Sequence, residues 1–276
     1  MMIFIRLLLL SSFVLWFPSA WKRWTHAFRL EKCALKWPVS PDWETPDPDH
    51  TICKILEQPF TYLSKGAQSY VFLSADQKYV LKLFRFDNCR IPLGQQFARY
   101  LRNRLHLREK YVLPFREKVP KTLMSCKLAY DLAPHLTGVV WVHLNPRRRN
   151  LPMISVRDRL GRLHCIDPAF YRFALQKKAQ TLLSVLRKEP NLAPWIHSYQ
   201  SLLSELSRLG LANLDPNMGK NFGFIDGKAV EIDFGNFTLD FSLAAKDPEH
   251  FSKRLLRWLE RHRPDDVESV SLGILP

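Results

Sequence analysis

From about residue 58, apolar and polar positions alternate with a period of two. The stretch FTYLSKGAQSYVFLSADQKYVLKLFRF holds three apolar runs separated by Ser-Lys-Gly-Ala-Gln and Ala-Asp-Gln-Lys. This pattern predicts three antiparallel strands near residues 60–64, 69–74 and 79–85. Residues 92–110 and 116–135 then read as helices. TGVVWVHLN reads as a strand, and PMISVRDRLGRLHCID as a hairpin that turns between Asp158 and Gly161. YRFALQ is a further strand or an extended connector. After Lys177 the period becomes helical. Trp195, Ile196, Tyr199, Leu202, Leu203, Leu206 and Leu209 form one apolar stripe, on a helix that Gly210 ends. Two short apolar runs joined by Asp226-Gly227 predict another hairpin, and an amphipathic helix near 248–262 follows Asp247-Pro248. Strands first and helices later predict an α+β fold.

Two segments before residue 58 stand apart. Residues 7–17 are apolar except Ser11 and Ser12, with Arg6 on one side and Lys22, Arg23, Arg29, Lys32 and Lys36 on the other. Residues 1–21 are either a secretory signal, with Ser19-Ala20 near a cleavage point, or an uncleaved hydrophobic anchor. The run is shorter than the ~20 residues of a comfortable span. A start assigned too far upstream would also produce such a segment. The basic flank resists translocation, which favours an anchor with the domain facing the cytoplasm over secretion after signal cleavage. Residues 22–57 read as a basic and then proline-rich linker, because the prolines of KWPVSPDWETPDPDH exclude a regular helix or central strand there.

Composition narrows the class. The chain has 276 residues, of which 46% are hydrophobic and 12% aromatic, a globular profile. Its net charge of +15 points to anionic partners: nucleotide, nucleic acid, anionic lipid or an acidic protein. Nucleic acid is the least expected, since the Arg147-Arg148-Arg149 loop has no aromatic beside it. That triplet is either a solvated loop or a contact for anionic lipid or polyphosphate. Cys33, Cys53, Cys89, Cys126 and Cys165 are odd in number, widely spaced and without a CxxC pair, so reduced thiols are expected. Neither HExxH nor a Ser-His-Asp or Cys-His arrangement stands out.

Candidate chemistry sits at the ends of the Asp226-Gly227 hairpin. A two-residue turn there pairs Ile225 with Lys228 and Phe222 with Glu231, and sets Asn221 opposite Ile232. Asn221 and Asp233 become diagonal neighbours within roughly 8 Å. An amide oxygen and a carboxylate suit Mg²⁺. Strict pleating sends the two side chains to opposite faces, so they converge only where Asp233 has left the ladder, which Gly235 permits. A polar hairpin end with no metal is the simpler alternative. Upstream, Asp215 in NLDPNMGKN follows the striped helix directly and is either a turn aspartate or a base for a hydroxyl. Alternation in YVLKLF puts Lys82 on one face with Val80 and Phe84, where it needs a counter-charge or a route to water. Gly66 in SKGAQSY sits in a turn whose backbone N–H groups could approach a phosphate.

In this order, over roughly residues 58–240, the chain resembles the protein-kinase-like phosphotransferase superfamily. The resemblance implies a two-lobed kinase-like fold. An antiparallel β N-lobe would span residues 58–176, and a reduced, mostly helical C-lobe residues 177–276. It further implies ATP and Mg²⁺ as cofactors. Gly66 would lie in the nucleotide loop, Lys82 on phosphate and Asp215 as the catalytic base. Asn221 and Asp233 would hold metal, and adenine would rest near Ala174–Gln176. A helix acid pairing with Lys82 would be Glu109, Glu117 or Asp131. Several features depart from the family pattern. The loop has one glycine where protein kinases have three. NLD replaces His-Arg-Asp, and six positions separate Asp215 from Asn221 instead of five, so an inserted residue or a metal role for Asn217 is implied. No Ala-Pro-Glu segment follows Gly235.

Three functions follow from these readings. One is phosphotransfer from Mg·ATP to a hydroxyl of an unidentified protein, lipid, sugar or metabolite. Another is a pseudokinase that binds nucleotide or a partner. The last is a basic membrane- or nucleic-acid-binding protein without nucleotide chemistry.

Overall fold

The computed structural model describes residues 21, 24–34, 37–85, 115–147, 150–215 and 217–267. The apolar segment apart from Trp21, the helix expected over 92–110 with Glu109, Cys89, Arg148 and Arg149 lie outside the described residues. Among the described residues no helix is long and apolar enough to cross a membrane.

The fold is α+β. Helix α1 (His50–Glu57) leads into strands β1 (Phe60–Lys65), β2 (Ser69–Ser74) and β3 (Tyr79–Phe84). Helix α2 (Phe115–Leu132) and the short α3 (Pro134–Thr137) precede β4 (Val139–His143), β5 (Ile154–Arg157), β6 (Leu163–Ile166) and β7 (Phe173–Lys177). These strands form one seven-stranded sheet in the order β4-β7-β3-β2-β1-β5-β6. Neighbours run antiparallel except β1 and β5, which pair in parallel through Phe60↔Val156 and Thr61↔Arg157. The sheet is antiparallel as expected apart from this one pair, in which β5 reaches the β1 edge after a long crossover instead of a hairpin.

Alternation along β3 divides the interior. Leu81 and Leu83 join Phe72, Trp141 and Phe173 in a core on one face, which α1 covers with Ile52, Ile55 and Leu56. Phe84 joins the other core, against Val119, Leu123 and Cys126 of α2. Each such buried side chain contributes about 1.5–3 kcal/mol.

That second core continues into the helical part. Helix α4 (Leu182–Lys188) follows the two-residue strand β8 (Gln180–Thr181), and α5 (Ala193–Arg208) buries the expected stripe Ile196, Tyr199, Leu202, Leu203 and Leu206. The chain turns at Gly210, whose φ is +71°, a region open to glycine. Next come β9 (Leu211–Asn213), the four-residue α6 (Met218–Asn221), β10 (Phe222–Ile225), β11 (Lys228–Glu231) and β12 (Phe237–Leu239). Helices α7 (Phe241–Ala244) and α8 (Asp247–His262) follow, and α8 buries Phe251, Leu255 and Leu259.

Residues 37–57 are not a bare connector. Trp43 is buried in the helical core, and Arg172 donates to Leu144 O at 2.6 Å and Trp37 O at 2.8 Å. Asp49 caps α1 by accepting from Ile52 N at 2.8 Å. The prolines leave only a short 3-10 turn at Pro41–Trp43 before His50, but two tertiary anchors and an ordinary capped helix hold the stretch on the domain. Cys33, Cys53, Cys126 and Cys165 are free thiols.

Candidate functional site

Asp226 and Gly227 both have positive φ, 50° and 78°, which gives the turn twist that a two-residue hairpin requires. The register is Ile225↔Lys228 and Phe222↔Glu231, as expected from sequence. Beyond it the ladder stops. Ile232 N and Asp233 N both donate to the single carbonyl of Asn221, at 2.6 and 3.2 Å. Asp233 thus leaves the pleat, and Gly235 N turns back to its carboxylate at 3.4 Å. β12 then pairs antiparallel with β9, and Leu214 N donates to Asn236 O at 3.1 Å. This pairing brings Asp215 beside the Asp233 loop.

Asn221 ends α6 and is wholly buried. Its Nδ2 donates to Asp215 O at 3.0 Å, while its Oδ1 has no partner. Asn217 faces away: its N–H donates to the Asp215 carboxylate at 3.0 Å, and its side chain lies outside the Lys82 cleft. The short α6 takes up the extra residue between Asp215 and Asn221, so Asn221, not Asn217, is the amide next to Asp233.

Lys82 sits on β3 between Val71 of β2 and Ala174 of β7. Its Nζ donates to Ile232 O and lies 4.4 Å from the centre of the Phe234 ring. Burial lowers its pKa, and the Asp233 charge opposes that shift. The helix acid is absent from its neighbourhood among the described residues. Glu117 pairs with Lys121 at 3.9 Å and Asp131 with Lys127, both within α2. Cys126 takes the facing position, and burial pushes its thiol up to about 12, so it is neutral.

One narrow cleft gathers these groups. Lys82, Phe84 and Cys126 form its wall, Asp215 and the Asp233–Asn236 loop its floor, and Gly66–Ser69 its cover. The cover is closed by a turn in which Gly66 N donates to Ser69 O at 2.8 Å. A Cβ on Gly66 would meet nothing nearer than 3.5 Å, so packing does not require glycine there. Gln68 Nε2 reaches Asn236 Oδ1 at 3.4 Å across the cleft mouth.

Ala174 and Gln176 are not at the cleft surface. Both lie inside β7, which is laddered on both sides by β3 and β4, and both are buried. Gln176 is committed to Thr137 O at 2.6 Å. The solvent-open connector where an adenine edge could lie comes just later, at Lys178 and Ala179. Gly223 sets the approach of that connector. A Cβ there would fall 2.4 Å from Gln180 O, so β8 reaches β10 only because position 223 is bare.

Several contributors escaped the sequence reading. Ser125 of α2 donates to Phe234 O at 2.5 Å and accepts from Phe237 N at 2.6 Å, which fixes the loop beyond Asp233. Glu231 is fully buried and accepts from Asn213 Nδ2. Burial, then the charges of Asp233 and Asp247, raise its pKa well above the carboxylate range. Asn213 N in turn donates to Asp247 at 2.8 Å.

The oxygens of Asn221 and Asp233 fit a hard cation. Asn221 carries a buried amide oxygen with no donor among the described residues, and Asp233, whose N–H donates to Asn221 O at 3.2 Å, offers a carboxylate that has left its strand. Among the described residues no three His, Cys, Asp or Glu side chains form a self-sufficient metal cage. Two protein ligands completed by phosphate and water are the usual arrangement for Mg²⁺.

No protein-family model and no curated protein matches the chain. Among solved structures it is similar to a co-crystal structure of WbdD with the kinase inhibitor LY294002, at 14% identity over 72% of this chain and 37% of that one, with a TM-score of 0.39. It is also similar to a structure of the bifunctional kinase-methyltransferase WbdD, at 15% identity over 68% of this chain and 33% of that one, with a TM-score of 0.38. The chain spans roughly a third of the length of these structures, and both likenesses are distant.

Proposed function

We propose that the protein is a small, atypical kinase-like phosphotransferase that binds Mg·ATP in the Lys82 cleft and transfers the γ-phosphoryl group to a hydroxyl. The observation that carries this reading is the meeting of Lys82, Asp215 and Asp233 in one cleft, with buried Asn221 bonded to the main chains of both Asp215 and Asp233. Three segments distant in sequence supply these groups, and a polar hairpin end would need none of the others.

Each residue has work matched to its surroundings. Lys82 would place its ammonium on the phosphates, moving from a backbone carbonyl to a stronger, charged acceptor. The backbone of Gly66–Ser69 would cover the phosphates. Asp215 would orient the hydroxyl and receive its proton. Asn221 and Asp233 would hold Mg²⁺, which supplies charge neutralisation of the phosphoryl oxygens when bound. Positioning then provides most of the acceleration.

ATP turnover and Mg·ATP-dependent thermal stabilisation test this. Both should disappear in Asp233→Ala. Asp215→Ala should lose turnover and keep binding. Mg·ATP binding retained in Asp233→Ala counts strongly against the assignment.

A pseudokinase is the second reading, and the Cys126 position favours it. A neutral thiol faces Lys82 where the resemblance implies a carboxylate. Sustained turnover abolished by Asp215→Ala eliminates this reading, and binding without turnover in the wild type establishes it.

A further inference from the structure

A second, larger depression lies on the other side of Asp215. It has a volume of about 630 Å³, within the ~300–1,000 Å³ range of small-ligand sites. Leu183 and the Asn217–Gly219 turn form one wall, and α8 forms the other through Arg254, Arg257, Trp258 and Arg261. Their spacing of three, four and seven places all four on one helix face. Asp215 is common to this groove and to the Lys82 cleft.

The electrostatics are one-sided. Asp215 is the one acid in the lining. Arg254 bonds only to the neutral-capable ring of His250, at 2.9 Å. Arg257 and Arg261 have no hydrogen bond or ion pair among the described residues. Like charges at such spacings repel along a helix, so the stripe costs stability until an anion lies over it. Guanidinium groups match phosphate oxygens two at a time. Half-buried Trp258 stacks on His262 at 4.7 Å and offers an apolar surface between the arginines.

We propose that this groove is the acceptor site, and that the acceptor is a phosphorylated polyol or sugar. Its phosphate lies on Arg254, Arg257 and Arg261, and a free hydroxyl reaches Asp215. The proposal rests on the phosphotransferase reading. In the transfer, the acceptor oxygen forms a bond to the γ-phosphorus of ATP, and the bond from that phosphorus to the β,γ-bridging oxygen breaks. The bridging oxygen keeps the electron pair and leaves on ADP. The hydroxyl proton passes to the Asp215 carboxylate and then to water. A groove of this volume, with three arginines close together on one helix face, fits a compact anion.

The test uses the full chain with Mg·ATP, measuring ADP release and equilibrium binding. The probes are glucose 6-phosphate, glycerol 3-phosphate and vesicles containing phosphatidylinositol phosphate, each against glucose, glycerol and neutral phosphatidylcholine vesicles. The phosphorylated probes should bind at least tenfold tighter than the neutral ones. Arg257→Gln and Arg261→Gln should each weaken that binding about tenfold, the scale of a charged hydrogen bond. Both residues are exposed and belong to a self-repelling stripe, so the unliganded melting midpoint should hold or rise slightly and report an intact fold. Response to soluble esters alone identifies a free metabolite, and response to vesicles alone a lipid headgroup. Arginine-dependent ester binding without any ATP turnover overturns the phosphotransferase reading and leaves the anion site standing. Turnover on neutral acceptors that is insensitive to both substitutions overturns the acceptor proposal and leaves phosphotransfer standing. Equal binding of charged and neutral probes, no binding of either, or binding only of an acidic peptide or RNA also overturns it.

Discussion

Asn221 separates a metal ligand from a structural amide, because the two roles predict losses of different size on truncation. An ordinary buried asparagine loses two or more hydrogen bonds when cut to alanine, which costs several kcal/mol. Asn221 has made only one, from Nδ2 to Asp215 O at 3.0 Å. Its main-chain bonds from Ile232 and Asp233 survive any substitution. Losing the single side-chain bond costs about 1 kcal/mol, and the small cavity costs roughly another 1 kcal/mol. Removing an unpaired buried oxygen returns about 1–3 kcal/mol. Asn221→Ala should therefore leave the unliganded protein within about 1 kcal/mol of wild type, or roughly 2–4 °C in melting midpoint for a chain of this size. With ligand the result changes. Mg·ATP at a hundred times its dissociation constant adds about 2.7 kcal/mol to the wild type, some 5–11 °C. Asn221→Ala should forfeit most of that gain. Thermal melts with Mg·ATP, and with ATP plus a chelator, read both quantities. An unliganded drop well beyond 4 °C, or a Mg·ATP shift equal to wild type, would refute the ligand role.

Four further outcomes follow from the surroundings of the site. The folded protein retains a proton on Glu231 that the unfolded chain releases in the ordinary carboxylate range near pH ~4.3. The native state thus binds more protons above that value, and stability falls as pH rises from there toward the raised folded pKa. Glu231→Gln should flatten that slope and raise stability at neutral pH, and superimposable pH profiles of urea midpoints would sink the idea. Gly223→Ala must open the β8–β10 contact by about 1 Å, at roughly 1–3 kcal/mol, and lower the melting midpoint by about 2–12 °C. Gly66→Ala should stay within about 0.5 kcal/mol of wild type, since its nearest neighbour is an ordinary contact. Gln68→Ala removes the side chain that spans the cleft mouth to Asn236, so stopped-flow association of a fluorescent ATP analogue should quicken; an unchanged rate would show that the cover does not limit access.

The hairpin was legible because its determinants are local. Asp226-Gly227 fixes the turn, the turn fixes the register, and the register places Asn221 opposite the point where the ladder ends. The face shared by Val80, Lys82 and Phe84 followed from the same period of two, and the α5 stripe from a period of 3.6. α1 carried a readable signal that the prolines masked: an Asp49 cap before Ile52, Ile55 and Leu56 at helical spacing. The neighbour of Lys82 had no such signal. On α2 the stripe Val119, Leu123 and Cys126 faces the sheet. At 100° per residue Glu117 and Asp131 fall about 160° and 120° away from Val119, on the far side of the helix. A local pattern identifies the apolar face but does not say which member of it will meet a lysine. The basic stripe of α8 was likewise visible as spacing, whereas its position across from Asp215 depends on how two distant elements pack.

With Cys126 neutral, everything among the described residues that offsets the Lys82 charge comes from one place. Ile232 supplies the carbonyl, Phe234 the π face and Asp233 the negative charge, all within three consecutive positions after the hairpin. A helix carboxylate would let Lys82 stay charged while that loop moved. Among the described residues none does so, and displacing the loop there strands a buried ammonium, which must then lose its proton or leave the interior. The position of the Asp233 loop and the ionisation of Lys82 are consequently one equilibrium. Ser125, which holds both Phe234 and Phe237 from α2, biases that equilibrium toward the closed, charged arrangement in which the cleft presents a cation above a carboxylate. A phosphate entering the cleft relieves the dependence by giving Lys82 a second counter-charge. Nucleotide binding should therefore make the charge on Lys82 less dependent on the position of that loop.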